Sequence, residues 1–352
     1  MVELVSERSR EMLKQGNCFD MIRYYLAFVV VFAHFSILSG ANNFNWITNS
    51  GEAVSGFFTL SGFLVFYSFI RKPSLKTYAV KRIRRIFPPY FFIIALCVVG
   101  GAFLSVLSSE EYFSSSMLYN YIAANCSFLN FIEPNLPGVF GDNVMRAVNG
   151  SLWTMKVELM LYASVPIAYF FFKRFSKVTV LAVIFVLSIV YREFFLYLYE
   201  TEGKELYNIL ARQVGSQLVY FYSGTAILLY FEQFQRYVKY LLPAALILYA
   251  GRYYVDALQF LEPFSFAVLI IGIAYNVKFL NVFSRFENVS YGIYLFHFPV
   301  IQTIVHFRLH EYSYMLAIVT AIVATVALAC FSWNFIEKPI LHKGKVVPSN
   351  NK

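Results

Sequence analysis

Apolar residues in this chain come in long runs, and polar residues come as short interruptions between them. A helix of about 20 apolar residues crosses a ~30 Å hydrocarbon layer. Ten runs of that kind are predicted as spans, at 19–39, 52–70, 87–107, 151–172, 178–199, 213–231, 237–254, 260–277, 288–306 and 314–336. The seventh and eighth are the least regular, because Gly251, Arg252 and Pro263 crowd their junction. The expected fold is all-α: a polytopic membrane bundle of about ten transmembrane helices. It forms one domain over 1–352, with the helical core at about 19–340.

Composition adds the solvent. Of 352 residues, 59% are hydrophobic and 14% are charged, against about 25% charge in a soluble domain. A water-soluble fold could not bury that much apolar surface, so the lipid bilayer is an expected partner. The net charge of +9 could suit nucleic acid. The basic residues instead sit in short runs between spans, where the positive-inside rule puts them, and this excludes nucleic acid. The four cysteines are scattered, with no metal-ligand spacing, so no metal is expected. The first apolar run lacks a small-residue cleavage site and reads as a span rather than as a signal peptide.

Charge also predicts orientation. Arg8, Arg10 and Lys14 precede span one, and Arg71, Lys72, Lys76, Lys81, Arg82, Arg84 and Arg85 fill the 71–85 loop. Lys173, Arg174 and Lys177, then Arg236 and Lys239, then Lys278 and Arg285 follow spans four, six and eight. Lys338, Lys343, Lys345 and Lys352 close the chain. The alternate segments hold only Arg146, Arg192, Lys204, Arg212, Arg252 and Arg308. An even number of spans with both termini cytoplasmic fits that alternation. The 108–150 loop then lies outside. Its length and aromatic content predict a packed cap over the outer face.

Ionisable residues inside spans are functional candidates. Arg23 and His34 on span one are eleven residues apart, which places them on one helix face with a rise of ~16 Å between them. Glu158 lies about seven residues into span four, at a depth comparable to that of His34. If spans one and four pack together, imidazole and carboxylate meet. Such a pair can take a proton from a hydroxyl nucleophile, the carboxylate fixing the tautomer. It can equally be a hydrogen bond that ties two helices. Alone, Arg23 also fits a snorkelling interfacial arginine. Arg82, Arg84 and Arg85 precede Phe87-Pro88-Pro89. They suit a topology signal that binds anionic lipid headgroups, or a cytoplasmic phosphate clamp.

These residues sit in segments that resemble the integral membrane acyltransferase 3 family. Met21-Ile22-Arg23-Tyr24-Tyr25-Leu26-Ala27 followed by His34 is similar to the family's arginine, ten residues, histidine signature. Gly56 to Leu64 resembles its "FF-x-LSGF" segment, and Arg82-Ile83-Arg84-Arg85 its Arg-x-x-Arg motif. Ser151-Leu152-Trp153-Thr154-Met155-Lys156-Val157-Glu158 resembles its "SLW…E" segment. Ser290 to His297 and Phe335 to Pro339 match late segments, so the resemblance covers nearly the whole chain. The chain is expected to end after span ten, without the extracytoplasmic esterase-like domain that some members carry.

The resemblance implies transfer of an acyl group, usually acetyl, from cytoplasmic acetyl-CoA to a hydroxyl of a surface polysaccharide or lipid-linked glycan. The implied location is a bacterial inner membrane. His34 is then the general base or transient acyl acceptor. Arg23 binds the donor or polarises its thioester, and Arg82, Arg84 and Arg85 hold CoA phosphates. Glu158 orients His34 or contacts acceptor hydroxyls. Trp153 fits an interface anchor or a sugar-stacking platform. His297, two residues before Pro299, fits a ring that satisfies a carbonyl freed by the proline, or a contact to substrate. Ser61 and Gly62 are expected to allow close helix packing. A transporter or flippase using the same buried charges is the competing function. It is disfavoured by the lack of two related halves. An acyltransferase with a small-molecule acceptor is the other alternative.

Overall fold

The computed structural model describes residues 4–40, 49–277, 279 and 287–342. Lys278, Arg285, Lys343, Lys345 and Lys352, which count toward the expected orientation, lie outside the described residues. Ten helices of 15 residues or more carry the described chain. They are α1 (Phe19–Ser39), α2 (Ser50–Arg71), α3 (Leu75–Leu104), α4 (Trp153–Arg174), α5 (Lys177–Glu202), α6 (Val214–Leu229), α7 (Phe231–Gly251), α8 (Glu262–Asn276), α9 (Ser290–His306) and α10 (Tyr314–Ser332). No strand occurs among the described residues.

Seven of these helices are long and apolar enough to cross a membrane, by length and composition: α1 to α5, α8 with its preceding 3-10 turn, and α10 with its continuation. The other three expected spans fall on helices that are short or charged. α6 has 16 residues and α9 has 17. α7 carries Glu232, Arg236 and Lys239 in its first half. The chain is a multi-pass integral membrane protein; among the described residues ten helices are long, and seven of them have the length and composition of a span.

The chain divides into two compact units. The first comprises Met1–Leu26, Gly51–Ser74 and Val157–Glu287. Within it α5 shows why the bilayer is needed. Val183, Val186, Leu187, Val190 and Phe194 form an exposed apolar stripe along one face. The opposite face buries Ser188, whose hydroxyl donates to the Gly215 carbonyl at 2.6 Å. A stripe of that kind is stable in hydrocarbon and costly in water.

The same unit explains the awkward seventh and eighth spans. Arg252, just past α7, is 6% exposed. Its guanidinium lies 2.6 Å from Glu52 of α2 and 3.3 Å from Glu262 of α8, over the Tyr249 ring. The charge that disturbs the hydropathy pattern is therefore a three-helix clamp. α2 and α6 touch backbone to backbone. A Cβ on Gly62 would fall 1.7 Å from the Phe221 carbonyl oxygen, and one on Gly224 would fall 2.1 Å from that of Thr59. Thr225 of α6 also donates to the Gly62 carbonyl at 3.0 Å.

The second unit comprises Ala27–Ser50, Leu75–Lys156 and Asn288–Lys352. α3 differs from the expected loop-then-span: it runs through Pro88 and Pro89, so the basic cluster is helical. Two prolines remove two intrahelical hydrogen bonds. Contacts hold the axis on either side. Arg85 pairs with Glu337 at 3.0 Å before the prolines, and Tyr90 donates to the Asn125 carbonyl at 2.7 Å after them. The 108–150 segment is folded. It contains helices Ser109–Ser114 and Ser116–Cys126 and buries Tyr112 and Tyr121.

Candidate active site

α1 is a single unbroken helix, so the eleven-residue spacing keeps Arg23 and His34 on one face of it. The two residues have different surroundings. Arg23 belongs to the first unit, where it pairs with Asp20 one turn earlier at 3.0 Å. His34 belongs to the second unit, and its Nδ1 lies 2.7 Å from Nε2 of His297 on α9. The two imidazole planes differ by 2°, with centroids 5.0 Å apart. A nitrogen–nitrogen distance of 2.7 Å is too short for stacked rings. The imidazoles therefore lie edge to edge in one plane, joined by a hydrogen bond. Phe298 packs against both, 5.3 Å from His34 and 6.3 Å from His297.

His297 is fully buried, and its Nδ1 lies 2.7 Å from the Tyr294 carbonyl oxygen. The carbonyl that Pro299 frees is that of Leu295, four residues earlier. Asn149 donates to it at 2.9 Å. His297 therefore satisfies a carbonyl, though a different one from that the proline releases. Its second nitrogen is spent on His34.

The segment that starts α4 is tied to the same turn of α9. Asn149 accepts from the Ser151 hydroxyl at 2.6 Å and caps the turn Gly150–Leu152. Thr154 bonds the Tyr294 hydroxyl at 2.7 Å, and that hydroxyl reaches the Ser151 carbonyl at 3.2 Å. Gln302, one turn beyond Pro299, donates to the Met145 and Ala147 carbonyls at 2.6 and 2.7 Å. Half-buried Trp153 sits in this anchored segment. We expect Asn149→Ala to cost about 1–3 kcal/mol, the penalty for leaving a buried carbonyl unsatisfied. A thermal midpoint in detergent equal to that of the parent protein would sink this prediction.

Glu158 belongs to the first unit, where it accepts a short hydrogen bond from Tyr162. The Tyr162 hydroxyl also lies 3.5 Å from that of Ser61. The basic cluster is sorted by the helix. Arg82 and Arg85 are three residues apart and share a face of α3, while Arg84 points round the axis. Arg85 is held by Glu337, which is 2% exposed, and its guanidinium lies 5.2 Å from the Tyr291 ring and 5.6 Å from that of Trp333. Glu337 closes a π-helical turn, Trp333–Glu337, that continues α10. Such a turn rotates a side chain out of the regular helical register.

Between α3, α9 and α10, under the packed loop, lies an apolar cavity of about 410 Å3. Pro299 and Val300 line it, so it begins within one turn of His297. The Thr303 and Thr320 hydroxyls there are turned onto carbonyls of their own helices, leaving methyl groups at the wall.

A family model described as an acyltransferase domain matches residues 17–334. The chain belongs to this acyltransferase 3 family. The membrane acyltransferase is 28% identical to the O-acetyl transferase of Shigella phage Sf6, over 94% of this chain and 97% of that protein. It is 30% identical to nodulation protein 10 of Rhizobium leguminosarum, over 92% of this chain and 93% of the other. Peptidoglycan O-acetyltransferase OatA of Listeria monocytogenes is 23% identical, over 86% of this chain and 53% of that protein. No solved structure matches the acyltransferase.

Sequence reasoning gave no role to Asn149, and took Tyr294 and Glu337 only as members of the late segments Ser290 to His297 and Phe335 to Pro339. Asn149 had a signal: a capping residue directly before the turn that opens a span. The pairing of Glu337 with Arg85 had none, because the π-helical turn that carries Glu337 breaks the 3.6-residue period on which facing arguments rest.

Proposed function

We propose that this membrane acyltransferase is an O-acetyltransferase. It moves acetyl from cytoplasmic acetyl-CoA to a hydroxyl of a surface polysaccharide or lipid-linked glycan. The observation that carries the reading is the buried His34–His297 pair within an acyltransferase domain. The names of two relatives add support, since both are O-acetyltransferases and one acts on peptidoglycan.

In the proposed reaction the acceptor oxygen bonds to the thioester carbonyl carbon, and the carbon–sulfur bond breaks. His34 takes the hydroxyl proton and passes it to the departing thiolate of CoA. Arg82 and Arg85 hold the donor's phosphates, with Arg84 extending the basic surface around α3. Glu337 keeps Arg85 extended and ready. Arg23 binds the donor or polarises its thioester. Glu158, with Tyr162, contacts acceptor hydroxyls, and Trp153 offers a ring face to a sugar. Ten crossings with both termini cytoplasmic in a bacterial inner membrane put the arginines on the CoA side.

The test uses full-length protein in lipid nanodiscs, following CoA release and acetyl transfer. The double variant Arg82→Ala, Arg85→Ala is expected to raise KM for acetyl-CoA about 10–100-fold, the scale of one or two lost charged hydrogen bonds. An unchanged KM would remove the phosphates from these arginines. Solute flux in liposomes without CoA release would replace the enzyme reading with transport. Mass spectrometry of surface glycans with and without the gene identifies the acceptor.

A further inference from the structure

We propose that His297 is a positioning residue: it fixes His34 as the Nδ1–H tautomer and so leaves His34 Nε2 as the nitrogen that accepts the proton. The inference rests on His34 being the proton acceptor, and it assigns the atom and the group that selects it.

The argument is an accounting of donors and acceptors along one line of atoms. A carbonyl oxygen only accepts, so His297 Nδ1, 2.7 Å from the Tyr294 oxygen, carries a hydrogen. A neutral imidazole has one N–H, so His297 Nε2 presents a lone pair. That lone pair faces His34 Nδ1 at 2.7 Å. Two lone pairs cannot face each other at that distance, so His34 Nδ1 holds the hydrogen. The free nitrogen of His34 is then Nε2. No other arrangement of neutral rings satisfies all three atoms.

The same line accommodates the added proton. When His34 Nε2 takes a hydroxyl proton, Nδ1–H keeps donating to His297, whose lone pair faces the new charge. The proton on Nδ1 can also cross to His297 Nε2. His297 then donates from both nitrogens, to His34 and to the Tyr294 carbonyl. In neither state is a donor set against a donor. A carboxylate was the expected partner for this task on sequence grounds; here an imidazole backed by a main-chain carbonyl performs it. The ring is held for the role. It is fully buried, it is flanked by Phe298, and its anchoring carbonyl lies in the turn that Thr154 and Asn149 pin from outside.

The competing account is that the bond only ties α1 to α9. His297→Gln and His297→Leu separate the two. Glutamine can accept from His34 through its oxygen and donate to Tyr294 through its nitrogen. Leucine fills space and does neither. Both are made in the full chain in nanodiscs, and kcat, KM for acetyl-CoA and the 15N spectrum of labelled histidine are read. The His34 signals are assigned by their loss in His34→Ala. We expect His297→Gln to keep kcat within about tenfold. We expect His297→Leu to lower kcat about 10²–10⁴-fold, the scale of a wrong tautomer at a catalytic histidine, with KM for acetyl-CoA unchanged. The His34 Nδ1 resonance should read as protonated in the parent and the glutamine variant, and as an Nε2–H mixture with leucine. An unchanged kcat in His297→Leu overturns the proposal. So does an equal loss in both variants with the His34 tautomer unmoved. If His297→Leu does not fold, the glutamine variant and the parent spectrum still decide it: a parent His34 protonated on Nε2 is sufficient refutation. Retained activity in His34→Ala would instead sink the base reading, while the tautomer assignment stays readable in the spectrum.

Discussion

His34→Ala is expected to lower acetyl transfer by about 10²–10⁴-fold, the usual contribution of a positioned general base, while the protein still inserts and folds. The structural side of that expectation is local. His34 sits on α1, the truncation removes one ring, and the ring's hydrogen bond is to a histidine that keeps its second bond to Tyr294. His297 can turn its freed nitrogen to a water in the space left behind, because the truncated site is polar. The check is acetyl transfer per mole of protein that elutes as one symmetrical peak from detergent. Transfer at the parent rate would remove His34 from the chemistry and with it the mechanism proposed here. Loss of the peak would mean that the pair is chiefly a tie between α1 and α9.

The second large effect concerns folding. Gly62→Val is expected to prevent accumulation of folded protein, and Gly62→Ala to destabilise by on the order of 4 kcal/mol or more, in the tail reserved for severe steric conflict. An alanine Cβ would stand 1.7 Å from the Phe221 oxygen and 2.6 Å from its carbonyl carbon. Both are main-chain atoms of α6, so no rotamer change relieves the clash. Either helix must move, and moving them apart breaks the Thr225 bond to Gly62 and the reciprocal approach of Gly224 to Thr59. Yield and melting temperature by fluorescence-detected size exclusion measure this. Parent-like values for Gly62→Ala would show that α2 and α6 can separate freely.

What could be read in advance follows from which interactions are local. Helix positions were legible, because a 20-residue apolar run has few alternatives; α1 occupies the expected 19–39. Gly62 was legible as a close contact, though not its partner. His34 stood out as an ionisable group in an apolar run. Its partner did not. Nothing in the spacing of His34 and His297 distinguishes a hydrogen bond from two unrelated rings, and a proline two residues on offered His297 a sufficient local reason to exist. The length of α3 was not legible, since tandem prolines argue against a helix unless contacts such as Arg85–Glu337 hold it. Arg252 looked like an interruption because its two carboxylates lie 200 and 10 residues away in sequence.

His34 and His297 are 263 residues apart in the chain. During synthesis the helix bearing His34 is made first, and the helix bearing His297 emerges only near the end. Contacts of such high sequence separation form late. The newly made protein therefore passes most of its biogenesis with His34 in place but without the ring to which it is hydrogen-bonded. On the proposed mechanism, an incomplete chain ending before α9 should enter the membrane and yet transfer no acyl group. On that mechanism the last helices to arrive would be the step that arms the enzyme.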